Sequence, residues 1–283
     1  MKLLAIDLDD TLLRDDNTVS DYTKEVLRKA QDKGIEVLIA TGRMYQTAYP
    51  VAHRLGLGDV PMVLYSGGVI QRVESKELIW ERAIPPEVAC QVLALTKEHN
   101  IYIQSYIDDE LLVHSETDFS RLYEEVTGAK AVYVGDAIYE PQKGTNKLLV
   151  VEDPARMAEV IRILSQEVGD VVDLVRSKVN FLEIVAPHVS KGEALAFMGE
   201  RLGIGLDEMV SFGNSENDIS MLQATGHSVA VGNAEDHVKE IAKEVCDTNE
   251  NDGVAKWIEA NVLLSVVGGP HGRVSFNHRD RYV

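Results

Sequence analysis

The stretch AIDLDDTLL, residues 5–13, places three carboxylates, Asp7, Asp9 and Asp10, at the end of an apolar run that begins at Leu3. A short unbroken apolar run is the pattern of a strand covered on both faces, as in the parallel sheets of α/β proteins. Side chains alternate along a strand, so Asp7 and Asp9 are expected to share a face while Asp10 points away. Two carboxylates on one face can share a proton, bind a cation, or divide into a base and an acid. Oxygen ligands suit Mg²⁺, which often bridges to a phosphate.

Outward from this stretch the same rhythm repeats. Ser20 is placed to cap a helix over 21–33, with Tyr22, Val26, Leu27 and Ala30 on one stripe. Apolar runs follow at 35–40 and 62–65, separated by a helical stripe at Ala48, Val51, Ala52 and Leu55 in which Pro50 should form the start or a kink. From Val69 the texture changes to hairpins and isolated helices, with helices expected over 87–99, near 118–127 and over 154–168. Past Pro187 strand–helix alternation returns, with a helix at 191–202 and strands at 208–212 and 228–231. The expectation is a doubly wound, Rossmann-like α/β core with a parallel sheet, interrupted by an inserted α/β cap domain. The core would comprise residues 1–82 and 187–263, the cap 83–186, and a C-terminal tail without periodicity 264–283.

Ligands of such sheets sit beyond the carboxyl ends of the strands. Those ends carry Asp7-Leu8-Asp9-Asp10-Thr11, Thr41-Gly42-Arg43, Ser190-Lys191-Gly192 and Gly213-Asn214-Ser215-Glu216-Asn217-Asp218. Ser190 and Glu193 have capping-box spacing, which puts Lys191 in the first helical turn, where the helix dipole disfavours a cation unless an anion lies at the helix start. The Thr41 hydroxyl with a backbone N–H at a strand–helix junction can bind a phosphate oxygen.

In this order and at these intervals, DLDDTLL, TGR, SKG and GNSENDISML resemble the four motifs of the haloacid dehalogenase superfamily, and the large insert resembles the cap of its Cof-like phosphatase subfamily. The resemblance covers about residues 1–262. It implies that Asp7 is the nucleophile that forms an aspartyl-phosphate. Asp9 would be the acid that protonates the leaving oxygen and then activates water. Thr11 would support the loop. Thr41, Gly42, Lys191 and Asn217 would hold the phosphate, with Leu8 also at the substrate. Mg²⁺ would be bound by Asp7, the carbonyl of Asp9 and the fourth motif, through Asn214 and Asp218. That motif usually begins Gly-Asp; Asn214 here ligates without charge, so more Mg²⁺ is expected to be needed. The implied reaction is hydrolysis of small phosphorylated metabolites, sugar phosphates first among them. A phosphomutase, or a phosphate-ester binding protein that has lost turnover, are the rival readings.

Composition sets the boundaries. The 283 residues carry a net charge of −18, which argues against nucleic-acid or anionic-membrane partners. The two cysteines have no metal spacing, and neither a GxGxxG nor a P-loop pattern is present. The six or so residues before the first acid are too short for a secretory signal, and no run reaches the length of a membrane span. A cytoplasmic protein, monomer or homodimer, is expected.

Overall fold

The computed structural model describes residues 1–264, so all of the expected tail except Leu264 lies outside the described residues. The core opens with β1 (Leu3–Asp7), α1 (Asp21–Asp32), β2 (Glu36–Ala40), α2 (Tyr45–Arg54), β3 (Pro61–Leu64), β4 (Val69–Arg72) and β5 (Leu78–Glu81). The insert follows with α3 (Pro86–Glu98), β6 (Ile103–Ile107), β7 (Glu110–Val113), α4 (Asp118–Thr127), β8 (Ala131–Tyr133), β9 (Lys147–Val151), α5 (Pro154–Val168), β10 (Asp173–Lys178) and β11 (Phe181–Val185). The chain then returns through α6 (Lys191–Leu202), β12 (Met209–Gly213), α7 (Ile219–Ala224), β13 (His227–Ala230), α8 (Asp236–Ile241), β14 (Glu244–Val245) and α9 (Gly253–Ile258).

The core sheet runs β14-β13-β12-β1-β2-β3-β4-β5, parallel from β14 to β3 and antiparallel through the hairpin β3-β4-β5. Its central strand β1 is buried at all five positions, which is why it reads as an unbroken apolar run. Alternation divides it between two cores. Leu4 and Ile6 join Val26, Leu27 and Ala30 of α1, whereas Leu3 and Ala5 face Ala194, Leu195 and Met198 of α6. Ser20 caps α1 by accepting the Thr23 N–H at 3.0 Å, and Ser190 caps α6 by accepting that of Glu193 at 3.1 Å. Pro50 lies inside α2, neither starting nor ending it, so the Gln46 carbonyl has no helical N–H partner four residues on.

The second sheet, β10-β11-β9-β6-β7-β8, is antiparallel except for the β7/β8 pair. One face packs on α3 and α5 through residues such as Val92, Val160 and Leu164. The other turns toward the core, where Tyr106 meets Tyr65 edge-on with ring centroids 6.0 Å apart. The doubly wound core with an inserted cap is therefore the architecture observed. The short strands β8 and β14 were not expected from sequence; each is only two or three residues long and mostly exposed, too short to show a period.

One sequence argument does not survive. Strand β1 ends at Asp7, so the alternation rule does not extend to Asp9 and Asp10. Residues 8–12 form a wide helical turn in which Asp9 is extended (φ −70°, ψ 126°) and Asp10 is left-handed (φ 57°). The turn, not the pleat, aims the second carboxylate.

A second turn fixes how the core halves meet. Tyr65 and Ser66 both have positive φ, and Gly67 follows at φ +119° against the backbone of Ser190, the cap of α6. A Cβ on Gly67 would lie 2.3 Å from the Ser190 carbonyl oxygen, whereas one on Gly34, also at positive φ, would meet nothing within 4 Å. Gly34→Ala is thus expected to cost about 1 kcal/mol, the penalty of a left-handed alanine alone. Gly67→Ala should cost about 1–3 kcal/mol more, because the turn must push α6 aside. Urea denaturation of the two variants measures the difference; equal costs would mean that the turn is free to move.

Candidate active site

Three segments far apart in sequence converge on one ammonium group. Lys191, the first residue of α6, places Nζ 2.6 Å from Asp7 Oδ1 at the end of β1 and 2.6 Å from Asp218 Oδ1 in the loop after β12. Lys191 and Asp218 are almost fully buried and Asp7 is 5% exposed. The cation that the helix dipole disfavours is therefore held by two carboxylates of the protein. Burial alone would lower Lys191, but Asp218 and Asp7 outweigh it and raise it. Burial, and then the Asp218 charge, push Asp7 up, against the pull of Lys191. One cation serves two carboxylates, so the cluster is short of positive charge. Asp218 turns its other oxygen to the N–H groups of Asn214 (2.8 Å) and Ser215 (3.1 Å). Both its oxygens face the protein, and it does not line the cleft.

The cleft above this cluster has a volume of about 450 Å³ and is walled by core and insert together. Asp9 lies in it, held by Arg43, whose Nε donates to Oδ2 at 2.9 Å and whose Nη2 donates to Oδ1. Burial would raise Asp9, but these hydrogen bonds and the Arg43 charge outweigh it and hold the carboxyl below its usual range. Asp10 also reaches the cleft wall, contrary to the alternation argument. Thr41 is fully buried; its N–H is taken by the Val63 carbonyl, and its hydroxyl accepts the Arg43 N–H at 3.2 Å. Gly42 and Asn217 line the cleft. The Leu8 side chain is fully buried in the core, so only its main chain could meet a substrate.

Asn214 bears on the metal. With its amide oxygen inward, that oxygen accepts from Thr11 Oγ1 at 2.9 Å and faces Asp7 Oδ2 and the Asp9 carbonyl, an oxygen cluster that a cation would favour. With its nitrogen inward, the amide donates to Asp7 Oδ2 (3.3 Å), the Asp9 carbonyl (3.1 Å) and Thr11 Oγ1 (2.9 Å). Amide oxygen and nitrogen exchange by a simple flip, so both states are open to this residue. One carboxylate, one carbonyl and one amide oxygen converging on a point fit Mg²⁺ by ligand chemistry. Among the described residues no group of three or more His, Cys, Asp or Glu side chains is placed to hold a metal.

The insert contributes groups that the sequence motifs did not single out. Lys147, at the start of β9, donates to the Gly42 carbonyl at 2.8 Å, and Glu183 in β11 accepts from Ser66 Oγ at 2.6 Å. Their sequence signal was a charge in an otherwise apolar strand, KLLVV and FLEIV. Elsewhere in the insert, Asp109 contacts the core and Lys178 lines the cleft. Asp108 pairs with Lys143 on the exposed surface, and His114 pairs with Asp136.

A model of the haloacid dehalogenase-like hydrolase family matches residues 4–258. A 5-amino-6-(5-phospho-D-ribitylamino)uracil phosphatase of Bacillus subtilis is 30% identical over 263 residues, 93% of this chain and 96% of the relative. A pyridoxal phosphate phosphatase of Escherichia coli is 26% identical over 93% of this chain and 99% of its own. A Thermotoga maritima protein of known crystal structure superposes with a TM-score of 0.81 at 33% identity, over 92% of this chain and 97% of its own. No helix among the described residues is long and apolar enough to cross a membrane.

The charge shortage at Asp7 makes a prediction. A carboxyl raised above its unfolded value favours folding while protonated, and that contribution is lost as the pH rises toward the folded value, about 8 here. Asp7→Asn, close in shape and always neutral, avoids the loss. In EDTA the variant should melt higher than the parent, by a gap that widens from about pH 4 to pH 8 at roughly 2–4 °C per kcal/mol. A gap that does not change with pH would refute the charge argument.

Proposed function

The chain belongs to the haloacid dehalogenase-like hydrolase family, and from that membership and the geometry of the cleft we propose that it is a Mg²⁺-dependent phosphatase of small phosphorylated metabolites, working through an aspartyl-phosphate on Asp7. The observation that carries the reading is the buried Lys191 shared by Asp7 and Asp218 at the floor of a cleft that also holds Asp9. A buried carboxylate at the end of a central strand, with an ammonium group against it, is a poor structural element and a well-placed nucleophile.

In this mechanism Asp7 attacks phosphorus as the bond to the leaving oxygen breaks, and Asp9 gives that oxygen a proton. Water then attacks phosphorus, Asp9 takes its proton, and the Asp7–phosphorus bond breaks to release phosphate. Dividing one displacement into two lowers each barrier, and proton transfer by Asp9 contributes about 10²–10⁴-fold. Lys191 offsets the repulsion between carboxylate and phosphate and is itself oriented by Asp218, which acts through the lysine rather than on the metal. Arg43 holds Asp9 as a carboxylate, the form needed for the second step. An incoming phosphate competes for Arg43 and frees Asp9 to carry the proton needed for the first. Gly42 and Asn217 would receive the phosphate oxygens, with the Leu8 main chain beside them and the buried Thr41 hydroxyl holding the loop through the Arg43 N–H. Mg²⁺, held by Asp7, the Asp9 carbonyl and the Asn214 amide oxygen, would supply a Lewis acid and the positive charge that the cluster lacks.

Residues 83–186 serve as the cap in this reading, and 1–82 with 187–263 as the core. Sugar phosphates remain the first substrates to try; the ribitylaminouracil and pyridoxal phosphates named for the relatives belong in the same panel. Phosphate release across that panel tests the proposal. Asp7→Asn should abolish release, and Asp9→Asn should lower kcat by about 10²–10⁴-fold. Full activity in Asp7→Asn, or transfer of the phosphoryl group to a sugar instead of water, would overturn it. Asn214→Asp adds a charge to the metal set and should lower the half-saturating Mg²⁺ concentration about tenfold, read both from activity and from the melting shift on Mg²⁺ titration. An unchanged requirement would remove Asn214 from the set.

A further inference from the structure

The insert does more than roof the cleft. Three of its side chains act on one core segment, residues 41–46, which carries Thr41, Gly42 and Arg43. Asp109, at the tip of the β6-β7 hairpin, accepts the Tyr45 N–H at 2.7 Å through Oδ1 and the Gln46 N–H at 3.0 Å through Oδ2. These are the first two N–H groups of α2, whose own N-cap, Met44, offers no side-chain oxygen. A residue 64 positions away, in the insert, therefore caps the helix that follows the phosphate-binding loop. Gln46 reciprocates by donating to the Asp109 carbonyl at 2.6 Å. Lys147 holds the next point upstream, the Gly42 carbonyl. Glu183 stands beside Gly42, where a Cβ would lie 3.2 Å from Oε1, and accepts from Ser66.

The neighbouring turn is tied in as well. Tyr65 donates its hydroxyl to Asp109 Oδ1 at 2.9 Å and its N–H to the Arg43 carbonyl at 3.1 Å, and Ser66 donates its N–H to the Thr41 carbonyl at 3.1 Å. Tyr65 and Ser66 are both left-handed, a conformation that costs such residues energy and persists only where surroundings enforce it. Here the insert supplies the closest side-chain partner of each, Asp109 for Tyr65 and Glu183 for Ser66, whose hydroxyl also accepts from Asn217 of the core at 3.5 Å.

We propose that Asp109, Lys147 and Glu183 are positioning residues for phosphoryl transfer: the docked insert, gripping residues 41–46 and the turn at 65–66, gives the phosphate-binding loop its reactive shape. Closure and assembly of the phosphate site are then one event. The role in turnover rests on the phosphatase reading above; the grip itself does not.

Two variants and a control test this in the full chain. Asp109→Ala removes the external cap. Lys147→Met keeps a side chain of similar length but removes the ammonium that lies 4.9 Å from the Tyr106 ring centre, and with it the donor to Gly42 and the ion partner of Glu183. Asp108→Asn, on the same hairpin but outside the grip, is the control. The two grip variants should lower kcat/KM for p-nitrophenyl phosphate about 10- to 100-fold, mainly in kcat, since misplacement by about 1 Å costs on the order of 10²-fold. Inhibition by orthovanadate, which fills the same loop, should weaken by a similar factor, while Asp108→Asn matches the parent in both. A merely structural loss would lower the melting temperature and leave the vanadate affinity of the folded protein unchanged. Amide exchange at Tyr45 and Gln46, followed by NMR, should quicken at least tenfold in Asp109→Ala. That arm needs no turnover, so a parent chain that hydrolyses nothing would count against the phosphatase reading while exchange still decides the grip. Parental vanadate inhibition in both grip variants, or unchanged exchange in Asp109→Ala, would overturn the proposal.

Discussion

An ammonium group with almost no exposure, 2.6 Å from each of two buried carboxylates, is the constraint around which this molecule is arranged. Removing the shared lysine from such a cluster strands its carboxylates in a low-dielectric interior, at a cost of about 3–5 kcal/mol. The three segments that supply the groups must therefore arrive together. Strand β1 brings Asp7 to the sheet end, α6 starts on the opposite side with Lys191 in its first turn, and the loop after β12 folds back so that Asp218 closes the set. The cluster's excess of negative charge is the electrostatic condition under which a cation beside it is favourable.

The cleft is a joint product of two layers. The floor belongs to the core, while Lys147 and Glu183 reach it from strands of the second sheet. Charged side chains in buried strands are costly unless paired. Here they pair with each other at 3.5 Å, and each also reaches a core group: the Gly42 carbonyl for the lysine and the Ser66 hydroxyl for the glutamate. Their polarity fixes a docking position that apolar contacts such as Tyr65 against Tyr106 would leave loosely defined.

The core was legible because its strands are unbroken apolar runs and its helices begin at Ser20 and Ser190, both of which cap as expected. Motif order brought Asp7, Thr41, Gly42, Lys191 and Asn217 to one end of the sheet. Three things were out of reach. The turn at 8–12 replaces strand geometry with two unusual backbone conformations, which a period-2 argument cannot anticipate. Asp218 has the composition of a metal ligand, and only the fold reveals that its oxygens are already engaged. The bond to α2 joins residues 64 apart at a helix end whose N-cap, Met44, has no side-chain acceptor, a pairing that no local sequence signal marks.

The position of β1 also has a consequence for biosynthesis. Its partners are β2, which follows within about 35 residues, and β12, which follows only after about 200. At some 5–20 residues per second, one edge of this fully buried strand waits on the order of 10–40 s for its neighbour. Through that interval it is an open edge of the kind that recruits foreign strands. The carboxylates of Asp7, Asp9 and Asp10 at its end are the kind of charge that limits how far such mispairing can run.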